Sequence, residues 1–195
     1  MKNPSPKVQK AIDFATEKHK DMVRKGTGTN GIPAVPYILH PLEAMGIVAS
    51  ITNDEDAICA AVLHDTVEDA HVKLEELVKL FGTSVASLVA DESENKREGM
   101  PPEDTWKIRK QEALEHLEKA SREAKIIALG DKLSNIRSIQ RDYADIGEDI
   151  WQRFNCKIKS EHGWYYKSIV KILENELSDT DAWQEYNLRV NAVFG

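Results

Sequence analysis

The stretch "AAVLHDTVEDA", residues 60–70, sets His64, Asp65, Glu68 and Asp69 into a run of alanine, valine and leucine. On a helix turning about 100° per residue, Ala57, Ala61 and Glu68 fall within about 60° of His64, with Asp65 and Asp69 at the edge of that face. Leu63 and Val67 occupy another sector. Ionisable groups among buried neighbours cost several kcal/mol each unless they are paired, hydrogen-bonded or bound to a metal. The alanines beside them leave room for a ligand. Glu68 stands one turn from both His64 and Asp65, a spacing that equally suits an ordinary surface pair. The four together, next to the apolar Ala60–Leu63, read as a site.

A second helical stretch, "KIIALGDKLSNIRSI" (125–139), carries the same contradiction. Ile126, Leu129, Leu133 and Ile136 form an apolar stripe, and Asp131, Asn135 and Ser138 line up on the other side. Ile127 and Ala128 flank Asp131 there, so its carboxylate sits between apolar neighbours and wants a partner. With His40 of "YILHPLEA" (37–44), the residues His64, Asp65 and Asp131 supply two imidazoles and two carboxylates. That donor set suits a divalent transition metal with coordination positions left for water. An adjacent His-Asp pair can converge on one ion, because neighbouring side chains on a helix diverge by only about a third of a turn.

The elements that must hold these residues are helical throughout. Ser5-Pro6 reads as an N-cap and first helical position, with a helix predicted to run to about Lys25-Gly26. "GTGTNGIPAVP" (26–36) is a loop on its glycines, asparagine and prolines. His40 precedes a proline and is expected just outside the helix "PLEAMGIVASIT". Asn53-Asp54 caps the helix that contains His64. "KLEELVKLFG" closes on Gly82, and a short helix follows to about Asp91. "DESENKREGMPPED" (91–104) reads as an exposed loop, after which helices are predicted over roughly 105–119, 121–143, 148–177 (broken) and 180–193. No strand alternation and no repeat stand out, so the expectation is one all-α helical domain over residues 1–195.

Bulk properties exclude several classes. The 195 residues carry a net charge of −7, which disfavours a general nucleic-acid or anionic-membrane binder. Cys59 and Cys156 match no zinc or redox spacing, as expected of free thiols in a reducing cytosol. "MKNPSPKVQK" lacks the apolar core of a signal peptide, and no apolar run approaches membrane-spanning length. A cytoplasmic protein is expected. His19, His71, His116 and His162 read as ordinary surface or core histidines. The aromatics of "EHGWYYKSI" (161–169) read as core. "TWKIRKQEALEHL" reads as an amphipathic helix with a solvated basic edge, from which Arg109 or Lys110 is within reach of a phosphate.

At "YILHPLEA", "AAVLHDTVED" and "LGDKLSNIRSI", with "RK" at 24–25, the chain resembles the HD-domain metal-dependent phosphohydrolases, and within them the hydrolase domain of the RelA/SpoT alarmone family and its stand-alone small hydrolases. The resemblance spans roughly residues 8–175 and implies an HD-domain helical bundle. It implies His40, His64, Asp65 and Asp131 as metal ligands, normally for Mn²⁺ although another divalent transition metal fits the same donors. It further implies Glu68 and Asp69 as the catalytic acidic pair, and Arg24, Lys25, Asn135 and Ser138 as nucleotide contacts. The implied reaction removes pyrophosphate from the 3′ position of ppGpp or pppGpp, leaving GDP or GTP. The chain is too short for the family's synthetase half, so hydrolysis alone is expected. Three departures stand out: "GTGTNGIPAV" enlarges a loop expected beside the base, "VADESENKREG" is more acidic than the family's usual counterpart, and Gly130 replaces a usual alanine, a change expected to be minor. The rival readings are the same machinery acting on another phosphorylated nucleotide or NADPH, and a non-catalytic nucleotide-sensing protein. The sequence leaves the oligomeric state open.

Overall fold

A computed structural model describes residues 5–28, 33–94, 97 and 99–195. Its helices in chain order are α1 (Pro6–Lys18), α2 (Leu39–Ile51), α3 (Glu55–Glu68), α4 (Leu74–Phe81), α5 (Thr83–Glu92), α6 (Pro102–Lys119), α7 (Arg122–Ile146), α8 (Lys159–Leu177) and α9 (Asp181–Phe194), with a 3₁₀ turn over Gly147–Arg153. Among the described residues, the one β-type pairing is an isolated bridge between Val23 and Pro36. The protein is all-α, as expected. No helix among the described residues is long and apolar enough to cross a membrane.

The chemistry-bearing helices are the central ones. α2, α3 and α7 pack on one another, α1 and α5 cover α3 with α4 packed on α5, and α8 and α9 close over α7. α3 fits this position because its residues are small: Ala57, Ala60 and Ala61 are fully buried, as are Val62 and Leu63. Neighbouring helices therefore approach it on several faces, and little of it reaches solvent. Asp54 starts α3 by accepting from the backbone amides of Asp56 and Ala57, which offsets two of the amides a helix start leaves unpaired. α7 begins in the same way on Ser121, which accepts from Ala124. α1 begins on Ser5, with Pro6 in its first turn.

Three readings of the helices and loops are corrected by the structure. α1 ends at Lys18, a full seven residues before Lys25. Beyond it the chain turns at His19 and pairs with the loop ahead of α2: Arg24 N–H donates to Val35 at 2.9 Å, and Tyr37 N–H donates to Met22 at 2.9 Å. Arg24 and Lys25 thus sit on an extended segment rather than on a helix end. His40 lies inside α2 together with Pro41. In a first turn the proline's missing N–H has no partner to lose, so tertiary packing overrides the pre-proline preference. Within 91–104, Glu94 is not exposed: its side chain is 13% accessible and pairs with Arg109 and Lys110. Asn95, Lys96 and Glu98 of that loop, and residues 29–32 of the 26–36 loop, lie outside the described residues.

Candidate metal centre and nucleotide pocket

α2, α3 and α7 bring the predicted ligands to one point. His40, His64 and Asp65 each offer a ligand atom within 4.8 Å of the others. Asp131 completes the group, with Oδ1 at 3.0 Å from His40 Nε2 and 3.6 Å from His64 Nε2. Asp65 Oδ2 lies 3.5 Å and 3.0 Å from the same two nitrogens. His40, His64 and Asp131 are nearly inaccessible, at 3%, 4% and 5%.

The residues present fit a cation. His64 Nδ1 lies 2.8 Å from the Ala61 carbonyl. A carbonyl only accepts, so Nδ1 holds the proton and, in the neutral ring, Nε2 carries the lone pair. Nε2 is buried, and although two carboxylates stand close it has no aligned hydrogen-bond partner. A buried polar atom so placed is short of a partner that an ion would supply. The electrostatics agree. Burial disfavours a charged His64, yet Asp65 and Asp131 outweigh it and favour positive charge at the ring. Burial pushes Asp131 up, but Lys132 and the two imidazoles hold it well below the carboxylate range. A site that attracts a proton this strongly in metal's absence attracts a divalent ion by the same charges.

Around this centre lie groups that sequence reasoning did not single out. Tyr37 Oη donates to Asp65 Oδ2 at 2.6 Å and stands 3.2 Å from Asp69 Oδ2, so one phenolic proton spans a predicted ligand and a predicted catalytic acid. Burial and the Asp65 charge push its own ionisation far up, keeping it a donor. Lys132 contacts Asp131 Oδ2 directly. Burial opposes the Lys132 charge, but Asp131 and Glu92 more than compensate. Glu92, at the end of α5, is pushed up to about 7 by burial, against the pull of Lys132. Tyr37 and Lys132 are inside the quoted motifs "YILHPLEA" and "LGDKLSNIRSI"; the signal was their position, three residues before His40 and directly after Asp131.

The centre opens into a cavity of about 1110 Å³ whose walls include Glu68, Asp69, Arg24, Lys25, Asn135 and Ser138. Arg24 reaches across from its extended segment: its Nη2 donates to Ser138 Oγ at 3.2 Å and to Asn135 Oδ1 at 3.4 Å. Arg24 therefore touches two of the other predicted nucleotide contacts, while Lys25 stands exposed on the rim. Asn135 also donates to Asp131 Oδ1 at 2.6 Å, tying this wall to the ligand set. Arg109 and Lys110 also line the cavity, both paired to Glu94. Arg109 is buried, at 9% accessible, so this is an internal ion cluster rather than a solvated basic edge. His162 is core as expected, with ring centroids of Trp106, Trp151 and Phe154 each 5.1 Å away. Burial lowers its pKa, in keeping with a neutral ring.

The helical bundle and its His/Asp cluster define a class. The chain belongs to the HD-domain family, whose model matches residues 11–157. Its curated relatives include the guanosine-3′,5′-bis(diphosphate) 3′-pyrophosphohydrolases MESH1 of Danio rerio, 36% identical over 67% of this chain and 67% of the relative, and of Xenopus tropicalis, 35% identical over 72% and 74%. Among solved structures, a metazoan ortholog of SpoT that hydrolyses ppGpp superposes with a TM-score of 0.69 at 26% identity, covering 100% of this chain and 97% of that one. The protein lmo0812 of Listeria monocytogenes EGD-e gives a TM-score of 0.69 at 28% identity, over 80% and 98%.

Proposed function

We propose that this enzyme hydrolyses ppGpp and pppGpp at the 3′ position, releasing pyrophosphate and leaving GDP or GTP. The observation that carries it is the convergence of His40, His64, Asp65 and Asp131 in a cavity whose wall holds Arg24 in contact with Asn135 and Ser138. The relatives that share the fold and most of the chain carry this activity in their names.

The four residues would hold a divalent ion; their two imidazoles argue against the all-oxygen sites of Ca²⁺ or Mg²⁺, and Mn²⁺ is the ion proposed, on the family resemblance. When bound, such an ion supplies Lewis-acid polarisation of a phosphoryl oxygen and a water of lowered pKa. Glu68 takes the proton of the attacking water as its oxygen bonds to the phosphorus attached at O3′. The P–O3′ bond breaks, pyrophosphate is released carrying the water's oxygen, and the proton held by Glu68 passes to the 3′ oxygen. Tyr37 orients the Asp65 and Asp69 carboxylates through its shared proton. Arg24 supplies a planar guanidinium to the nucleotide, which displaces or joins its contacts to Asn135 and Ser138. The proposed location is the cytoplasm, where Cys59 and Cys156 remain free thiols.

A second reading, the same chemistry on a larger phosphorylated nucleotide such as NADPH, draws on the cavity, whose roughly 1110 Å³ reaches the upper end of common ligand sites. Both readings are tested together. Pure protein with Mn²⁺ is incubated with ppGpp, pppGpp and NADPH, and the products are separated. Pyrophosphate with GDP or GTP supports the first reading; orthophosphate with NADH supports the second; no product from any of the three overturns both.

A further inference from the structure

His40 is held from behind by a chain of side chains that the chemistry above does not use. Its Nε2 faces Asp131 and Asp65, while Nδ1 on the other ring edge lies 2.8 Å from Ser134 Oγ. Ser134 Oγ donates to Glu43 Oε2 at 2.7 Å. A carboxylate only accepts, so the serine's single proton is committed to Glu43, and toward His40 the same oxygen accepts. Nδ1 therefore carries a proton, and the lone pair of the neutral ring lies on Nε2, facing the ligand cluster. Glu43 is anchored in turn. Its Oε1 receives Arg137 Nη1 at 2.8 Å, and Arg137 forks onto Glu185 of α9 at 2.8 and 2.6 Å. Glu185 lies beyond the residues 11–157 that the HD-domain model matches.

We infer that Ser134 and Glu43 are positioning residues that lock His40 in the Nδ1-protonated tautomer and so set the affinity of the metal centre. The inference rests on the metal reading of that centre. The two histidines differ here. His64 takes its tautomer from the backbone carbonyl of Ala61, which no side-chain change removes, whereas His40 depends wholly on a side-chain relay. A purely mechanical clamp between α2 and α9 would be complete with Glu43, Arg137 and Glu185. The fully buried Ser134 hydroxyl adds nothing to that clamp, yet it is the link that reaches the imidazole.

The test is Mn²⁺ binding to the full chain, read from the electron-paramagnetic signal of the free ion, alongside thermal melting. Ser134→Ala is expected to raise the Kd about 10- to 100-fold, the usual effect of losing a partner behind a ligating histidine. Glu43→Ala should move it in the same direction. In the Ser134→Ala background Glu43→Ala should add less than about twofold, because Glu43 then has no path to the ring. Arg137→Ala, which cuts the clamp and leaves Glu43 on Ser134, should lower Tm without a matching loss of Mn²⁺. A Ser134→Ala protein that binds within twofold of wild type, or Ser134 and Glu43 losses that add in full, overturns the relay. A wild-type protein that binds no Mn²⁺ overturns the metal reading and the relay with it.

Discussion

Gly130 of α7 lies against the backbone carbonyl of Ala44 of α2: a Cβ at residue 130 would stand 2.9 Å from that oxygen and 2.9 Å from Val48 Cγ2. His40 lies one turn before Ala44, and Asp131 directly follows Gly130, so this close approach helps set the 3.0 Å separation between His40 Nε2 and Asp131 Oδ1. The glycine is thus not the minor change its sequence context suggested. Gly130→Ala gains about 1 kcal/mol of helix propensity but forces backbone apart, at a cost of about 1–3 kcal/mol. A Tm lowered by a few degrees, with weaker Mn²⁺ binding, is the expected result in calorimetry and metal titration. A higher Tm would show that the two helices separate freely.

Metal retention is expected to depend on Asp65. Asp65→Ala should purify without bound Mn²⁺ while its circular dichroism keeps the wild-type helical content, since α3 is held by its alanine-rich packing rather than by this carboxylate. Elemental analysis showing equal metal in both proteins would remove Asp65 from the ligand set. Chelation of the wild-type protein should stop hydrolysis, and added Mn²⁺ should restore it.

Glu68 is expected to act on protons rather than on the ion. Glu68→Gln keeps the shape and removes the base. Turnover should fall by about 100-fold or more, the ordinary scale for a general acid–base group, with Mn²⁺ affinity little changed. Turnover within a few-fold of wild type would return Glu68 to the role of a helix-surface partner of His64 and Asp65.

Arg24 is proposed as a binding group. It touches Asn135 and Ser138 rather than the ligands, so Arg24→Ala should raise KM about tenfold or more while kcat changes little, as for contacts made equally in ground and transition states. Steady-state kinetics with ppGpp decides it. A fall confined to kcat would place Arg24 at the reacting phosphate instead.

Acid stability should report the α7–α9 link. Arg137, then Arg189, hold the Glu185 carboxyl down to about 2 from its ordinary 4.5. A folded-state pKa below the unfolded one gives stability that is complete above about pH 4.5 and disappears as pH falls toward 2. The Glu185 side chain is 30% accessible, so solvent screening limits the contribution to about 1 kcal/mol. Glu185→Gln should therefore melt about 2–4 °C lower at pH 7, with the difference narrowing as pH drops below 4.5. A difference independent of pH would assign the loss to packing.

The sequence by itself determined the all-helical class and most of its helices, and it named a candidate ligand set. Asp54, Ser121 and Gly82 mark element ends by local hydrogen bonding or backbone conformation, and such signals are complete within a few residues. His64, Asp65 and Asp131 announced themselves because ionisable side chains stood on faces flanked by alanine and isoleucine, where burial without a partner is costly. Tertiary structure alone decided what depends on distant backbone. α1 stops at Lys18 because residues 22–24 pair with 35–37, a contact no helical periodicity encodes. His40 enters α2 because the packing of that helix on α7 outweighs the local pre-proline preference. Arg109 turned inward because Glu94, 15 residues earlier, met it there. Tyr37, Ser134 and Glu43 are small parts of recognisable motifs, but their roles follow only from which oxygen faces which nitrogen. Residue type fixes what a side chain can donate or accept; only the fold decides to whom.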